Sequence, residues 1–163
     1  MAKYACVRTD NMSGTIDGSK LVSAKFYNGS DEVAAIQNGN VVKIGALIAG
    51  EREVRKATAP AANTPISEVA LVASVEQVKD KNYFALSEFI NEAGSIIRGY
   101  RLVSGNTFSV TEEALNGSAF AVGDIVELME GIKFNVVKSA TEGATKVGTI
   151  IAIEDEYYVV EVA

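Results

Sequence analysis

Histidine and tryptophan are both absent from the 163 residues. The lack of histidine removes Ser-His-Asp triads, Cys-His pairs, His-liganded metals and imidazole acid–base chemistry in one step. Cys6 is the single cysteine, so no internal disulfide can form and a zinc site built on several thiolates is excluded. Proline is nearly missing too. Pro60 and Pro65 both fall in residues 57–65, where neither suits a central strand, so this stretch reads as a connection and the best linker. Positive charge is in the minority, with 15 Lys and Arg against 21 Asp and Glu and a net charge of -6. A nucleic-acid surface needs a basic patch to replace counterions. Here only Arg52, Arg55 and Lys56 cluster, and Glu51 and Glu53 interrupt them, so no nucleic-acid partner is expected. No apolar run approaches the ~20 residues of a membrane helix, and the first residues carry no apolar core of a signal peptide. The expectation is a soluble chain, without a membrane partner, made in a cytoplasm.

What is present is an ordinary globular balance, 48% hydrophobic and 22% charged. The chain is organised around two echoing stretches, Gly39-Asn40-Val41-Val42-Lys43-Ile44 and Gly123-Asp124-Ile125-Val126-Glu127-Leu128. Each opens with turn chemistry and runs into β-branched residues that suit a half-buried pleated surface. They stand about 84 residues apart and read as entry strands of two similar β elements. Asn38-Gly39 between the apolar runs 33–36 and 41–48 predicts a type I′ hairpin. Ser104-Gly105-Asn106 predicts a second. Residues 69–75 form a continuous apolar run of strand length. The runs 146–153 and 157–162, joined by Glu154-Asp155-Glu156, are apolar on both faces and predict strands through the middle of a core. Helical spacing occurs once: Tyr83, Leu86, Ile90 and Ala93 share a face, and Gly94 stands where a helix would stop.

The predicted fold is mainly β, with small barrel- or sandwich-like lobes, one short inserted helix at about 83–93, and an extended N-terminal segment. Residues 1–30 read as an arm or as peripheral strands. Residues 31–163 form the β body, with lobes at about 31–75 and 96–163 joined through the Pro-containing 57–65 and a helical segment 76–94.

Chemistry is thinly represented. Glu51 and Glu53, with Glu112 and Glu113, are the carboxylates a glycosidase would pair, but in a chain with 21 acids they read first as solvating charge. Glu154-Asp155-Glu156 lacks the alternating oxygen ligands and glycine of a calcium loop and reads as a charged hairpin tip. Cys6 has no histidine to activate it and reads as a small buried residue. No catalytic residue, metal site or cofactor site is assigned, and an enzyme is not expected. Of Tyr157 and Tyr158, one must face outward if the strand is regular.

Several segments resemble auxiliary capsid proteins of tailed bacteriophages, of the decoration, cement or head-fibre kind. They are Tyr4-Ala5-Cys6-Val7-Arg8-Thr9-Asp10-Asn11-Met12-Ser13-Gly14, Gln37-Asn38-Gly39-Asn40-Val41-Val42-Lys43-Ile44-Gly45, and Gly50-Glu51-Arg52-Glu53 with Ala59-Pro60. Further along come Phe89-Ile90-Asn91-Glu92-Ala93-Gly94, Arg98-Gly99-Tyr100-Arg101-Leu102 and Gly105-Asn106-Thr107-Phe108-Ser109-Val110-Thr111. Together they span most of residues 1–130 in order. The resemblance implies a virion protein on the exterior of an icosahedral capsid, bridging major capsid protein subunits without catalysis. It also implies a homo-oligomer, with trimers at local three-fold positions expected. With residues 1–30 as the capsid-binding part, the contact candidates are Tyr4, Arg8, Asp10, Asn11 and Met12. The alternative is a module that binds a carbohydrate or host-surface glycan, which needs exposed aromatics such as Tyr100, Tyr157 or Tyr158.

Overall fold

A computed structural model describes residues 3–13, 17–77 and 85–163. The protein is mainly β, and among the described residues no helix reaches seven residues. No described helix is long and apolar enough to cross a membrane. In chain order the strands are β1 (Leu21–Phe26), β2 (Val41–Leu47), β3 (Val54–Thr58), β4 (Val69–Val72), β5 (Ile97–Arg101) and β6 (Thr107–Thr111). They continue with β7 (Leu115–Asn116), β8 (Ile125–Leu128), β9 (Phe134–Val137), β10 (Lys146–Glu154) and β11 (Tyr157–Val162). The first five close into a barrel in the order β1-β3-β2-β4-β5, and the other six form an open half-barrel sheet, β6-β11-β10-β8-β9-β7.

The half-barrel repeats the barrel. Read from its other edge it runs β7-β9-β8-β10-β11, the same order shifted by six strands. In both, the first strand pairs parallel with the third, β1 with β3 and β7 with β9. The echoing stretches make the same turn in each lobe. The Asn40 N–H donates to the Gln37 carbonyl at 3.4 Å, and the Asn40 side chain accepts from the Gln37 N–H at 3.1 Å. Asp124 N–H donates to the Ala121 carbonyl at 3.2 Å, and the Asp124 carboxylate accepts from the Ala121 N–H at 2.8 Å. Each turn then docks on the fourth strand of its lobe. Gly39 N–H donates to the Val72 carbonyl and Val72 N–H to the Asn40 carbonyl; Gly123 and Ile150, then Ile150 and Asp124, repeat the pair.

The lobes differ at the bridging strand. β1 spans both of its neighbours without a break, pairing with β5 over Leu21 to Ala24 and with β3 over Ser23 to Phe26. In the second lobe that role is divided. β6 pairs with β11, the 3-10 turn Glu112–Ala114 interrupts, and only the two-residue β7 reaches β9. Two consecutive glutamates are poor strand formers, and they stand at the break. The half-barrel therefore leaves a concave apolar face uncovered by its own strands, and the outer wall of the first barrel fills it. Alternation along β4 makes this legible: Ala70 and Val72 point into the barrel with Val22, Ala24, Phe26, Val42 and Ile97. Val69 and Leu71 point outward, joining Phe108, Val126, Leu128, Phe134, Ile150 and Val160 in the shared core. Phe108 and Phe134, ring centroids 5.4 Å apart, are the largest side chains fully buried there. Each fully buried aliphatic or Phe contributes roughly 1.5–3 kcal/mol relative to exposure. Main-chain bonds from Val41 to Ile132, Gly131 to Pro60 and Thr145 to Ala62 stitch the same seam.

Several expectations need correction. The turn at Asn38-Gly39 forms, but only Gly39 has positive φ (88°), so it is not type I′, and β2 pairs with β3 and β4 rather than with residues 33–36. The turn at Ser104-Gly105-Asn106 carries the chain from barrel to half-barrel and joins no hairpin, because β5 and β6 lie in different sheets. Of the helix expected at 83–93, Tyr83 and Phe84 lie outside the described residues; the rest holds one 3-10 turn, Leu86–Glu88, before Asn91 bridges Ile36. Its apolar spacing serves extended chain at the end of the barrel. The 57–65 connection stays within the first lobe, between β3 and β4, and residues 76–94 likewise join β4 to β5. β10 and β11 are covered on one face only, leaving Ile151 and Ile153 each 43% exposed toward the hairpin tip.

Glu127 is the one large charged side chain among the fully buried ones. Its carboxylate accepts from Asn135 Nδ2 at 3.0 Å, Thr141 N at 3.0 Å and Thr141 Oγ1 at 2.6 Å, which ties β8 to the chain after β9. Burial by itself would raise its pKa, but the Thr141 hydroxyl, the Thr141 N–H and the Asn135 amide outweigh it and hold the group below its ordinary value. A folded pKa below the unfolded one means the stabilisation is complete above the unfolded value, near pH 4.5, and is lost as pH falls from there through the folded pKa. Glu127→Gln is expected to cost about 1–3 kcal/mol at neutral pH, since an amide sets an N–H against one of these donors. It should also flatten the acid limb of melting temperature against pH between about 5 and 3; an unchanged acid limb would count against the assignment.

Gly39 and Gly123 offer a second test. Both have positive φ, 88° and 97°, so alanine strains each backbone similarly. A Cβ on Gly39 would meet the Ala114 Cβ at 3.2 Å and the Ala5 Cβ at 3.5 Å, whereas one on Gly123 meets nothing within 4 Å. Gly39→Ala is therefore expected to lower stability by ~1–3 kcal/mol more than Gly123→Ala in urea unfolding. Equal losses would mean that the lobes are not in tight contact at this turn.

Candidate contact surface

The N-terminal candidates start from a segment that is part of the body. Residues 4–13 lie along the free edge of β6. Thr111 N–H donates to the Cys6 carbonyl, Arg8 N–H to the Ser109 carbonyl and Ser13 N–H to the Thr107 carbonyl, each at 3.1 Å, while Val7 bridges Val110. Ala5, Cys6 and Val7 are all buried, and Ala5 and Val7 enter the shared core. Residues 4–13 thus lie on the second lobe, β1 belongs to the first, and the chain returns to the second at β6.

Three of the five candidates share an outward surface. Arg8 Nη2 pairs with Asp10 Oδ2 at 2.6 Å, and the 3-10 turn Thr9–Asn11 leaves Asp10 and Asn11 exposed. The Arg8 guanidinium also lies 5.6 Å from the Tyr157 ring centroid. Its hydrogen bond and charge pairing with Arg8 hold the Asp10 pKa below its usual value. Exposed pairs of this kind add little to stability, so they are free to serve a partner. Tyr4 stands apart, half-buried, with its N–H on the Ser87 carbonyl at 2.9 Å. Met12 is half-buried against the shared core and lines a small hollow with Tyr100, Leu102 and Phe108, so it packs rather than projects.

The aromatics named for a glycan platform do not form an exposed row. Tyr100 is 7% exposed within the shared core. Tyr158 turns inward and meets Phe120 edge-on at 5.1 Å. Tyr157 takes the opposite face, half-covered by Arg8. The carboxylates considered for hydrolysis are likewise separated, Glu51 and Glu53 in the turn between β2 and β3 of the first lobe, Glu112 and Glu113 in the second. Asp155 and Glu156 form the β10–β11 turn, with Asp155 at φ 55°. Among the described residues no cluster of three or more His, Cys, Asp or Glu is placed to hold a metal ion.

Sequence reasoning did not find the Arg8–Tyr157 contact, which joins residues from opposite ends of the chain through β6. Nor did it find Lys138, whose Nζ lies 2.7 Å from the Asp124 carboxylate and, with the Ala121 N–H, holds that group's pKa low. The Asp-for-Asn difference between the two echoing turns was the available signal.

Cys6 reports on the whole segment. Burial, then the nearby Glu113, Glu156 and Glu76, push its thiol up to about 11, so it stays protonated at neutral pH. A disulfide-exchange reagent at pH 8 is expected to leave Cys6 untouched in the native protein and to titrate one thiol in denaturant. Native reaction at the rate of an unstructured peptide would show residues 4–13 detached from β6. Comparison with protein-family models, with curated proteins and with solved structures finds no match to this chain.

Proposed function

We propose that this protein is a non-catalytic structural component of a bacteriophage virion, binding the outer face of an icosahedral capsid and bridging neighbouring major capsid subunits. The observation that carries the proposal is the ordered set of sequence segments over residues 1–130 that resemble auxiliary capsid proteins. Support also comes from the architecture: two similar β lobes share one core, and the N-terminal segment is folded along β6 with Arg8, Asp10 and Asn11 outward. A rigid body with a small charged contact suits a site repeated many times on a symmetric shell, where avidity replaces a single tight interface. Trimers at local three-fold positions remain the proposed assembly.

Because Ala5 and Val7 belong to the core, surface substitution separates binding from folding better than removal of the segment does. Purified protein mixed with empty capsids lacking it is expected to co-sediment stoichiometrically and to survive dilution. Arg8→Glu should weaken retention about tenfold, more at low salt than at high, with an unchanged circular dichroism spectrum. Wild-type protein left wholly in the supernatant, with vacant capsid sites confirmed, would overturn the proposal.

A further inference from the structure

We propose that Asn28, in the turn after β1, is a modification site: the main-chain nitrogen of Gly29 closes on its side chain, ammonia leaves, and water opens the ring to aspartate or isoaspartate.

The sequence holds three Asn-Gly pairs, at 28–29, 38–39 and 116–117. Glycine after asparagine favours ring closure, because no side chain shields the attacking nitrogen or restricts its approach. The fold then separates the three. Asn38 is 1% exposed, and both ends of its amide are engaged. Its Oδ1 accepts from the Ser74 N–H at 3.0 Å and Asn91 Nδ2 at 3.1 Å, and its Nδ2 donates to the Ser74 carbonyl at 2.9 Å and Glu76 Oε1 at 3.2 Å. The nitrogen that would attack it, that of Gly39, already donates to the Val72 carbonyl at 2.8 Å. Asn116 is exposed, but it pairs with Asn135 across β7 and β9, and its Nδ2 donates to Asn135 Oδ1 at 2.9 Å. The Gly117 backbone is closely covered: a Cβ there would meet the Phe120 ring at 3.0 Å and the Val136 carbonyl at 3.1 Å.

Asn28 has none of these restraints. Asn28, Gly29 and Ser30 are all exposed, and a Cβ on Gly29 would meet nothing within 4 Å. Among the described residues neither the Gly29 N–H nor Asn28 Nδ2 donates a hydrogen bond, so the attacking and departing nitrogens are both free. What is held is the oxygen. Asn28 Oδ1 accepts from the Ser30 N–H at 2.9 Å and the Glu32 N–H at 3.1 Å, the bonding that asparagine favours at the start of a turn. Negative charge collects on this oxygen when a nitrogen adds to the side-chain carbonyl carbon, and two main-chain donors already face it, as in an oxyanion hole. The Asn28 N–H to the Glu32 carbonyl at 2.9 Å and the Asp31 N–H to the Asn28 carbonyl at 3.1 Å keep those donors in place.

The chemistry needs only water. Hydroxide takes the Gly29 amide proton, the bond from nitrogen to Cγ forms, the bond from Cγ to Nδ2 breaks, and Nδ2 leaves as ammonia with its electron pair. Water opening the ring at Cγ gives aspartate; opening it at the main-chain carbonyl gives isoaspartate. Aspartate keeps both acceptor contacts and adds one negative charge to a chain of net charge -6. Isoaspartate lengthens the turn by one main-chain carbon. That displaces Asp31 from its ion pair with Lys56, whose Nζ lies 5.0 Å from the Tyr27 ring centroid.

The test is to hold the full-length protein at pH 8 and 37 °C, sample it over weeks, and locate each conversion by mass spectrometry of digests, with isoaspartate read by enzymatic methylation. The peptide acetyl-Tyr-Asn-Gly-Ser-Asp-Glu-amide alongside gives the rate of the unrestrained sequence. Asn28 is expected to convert at least as fast as the peptide, and Asn38 and Asn116 at least about tenfold more slowly than Asn28, since they react only through local opening. Gly29→Ala, for which the turn has room, should slow conversion at Asn28 several-fold, and Asn28→Ser should abolish it, each with an unchanged circular dichroism spectrum. Conversion led by Asn38 or Asn116, equal rates at all three, or an Asn28 that outlasts the peptide would each overturn the proposal. Capsid sedimentation does not read this chemistry, so either proposal can fail while the other stands.

Discussion

Everything in this fold depends on one strand being buried on both sides. β4, Val69–Val72, gives Ala70 and Val72 to the interior of the closed barrel and Val69 and Leu71 to the core it shares with the half-barrel. A strand in that position can carry no polar side chain on either face, and this one carries none. The half-barrel in turn cannot bury its concave face alone, because its bridging strand breaks at Glu112-Glu113. The first barrel, which has its own interior cluster, substitutes for the missing wall. Removing water from one continuous apolar seam is the dominant favourable contribution, and the seam does not divide into two independent cores.

The repeated turn shows how environment selects chemistry on a common backbone. Asn40 and Asp124 do the same work, accepting from the N–H three residues earlier. Asn40 is 1% exposed in the first lobe, where a carboxylate would be buried without a cation, and an amide meets the hydrogen bond without that cost. Asp124 lies where Lys138 can reach it, so a charge is tolerated and stabilised. Glu127 shows the other solution, a buried carboxylate satisfied by three neutral donors.

The N-terminal segment changes how a contact surface should be imagined. It closes the edge of β6, and edges left open invite indiscriminate pairing. Its inward residues are therefore committed to the fold, and of the five contact candidates Arg8, Asp10 and Asn11 are the ones whose side chains face away from it. The connection between β4 and β5 is the other departure from the repeated plan, and its described residues Ser74 and Asn91 join Asn38 in a buried polar network at the end of the first barrel.

By itself the sequence determined the class of the fold and the exclusions. The β-branched runs, the turn glycines and the two echoing stretches established a mainly β body with two related elements, because these patterns are local and set by backbone sterics. The absence of histidine and the single cysteine closed off much of the chemistry before any geometry was known. Only the tertiary structure decided which strands pair, that a Gly-containing turn leads into another sheet instead of a hairpin, and that helical spacing near residue 90 would lie in extended chain. It also decided that Tyr100 is core and that Arg8 meets Tyr157. Those outcomes depend on residues far apart in the chain competing to bury the same apolar surface, and short-range pattern holds no record of which partner wins.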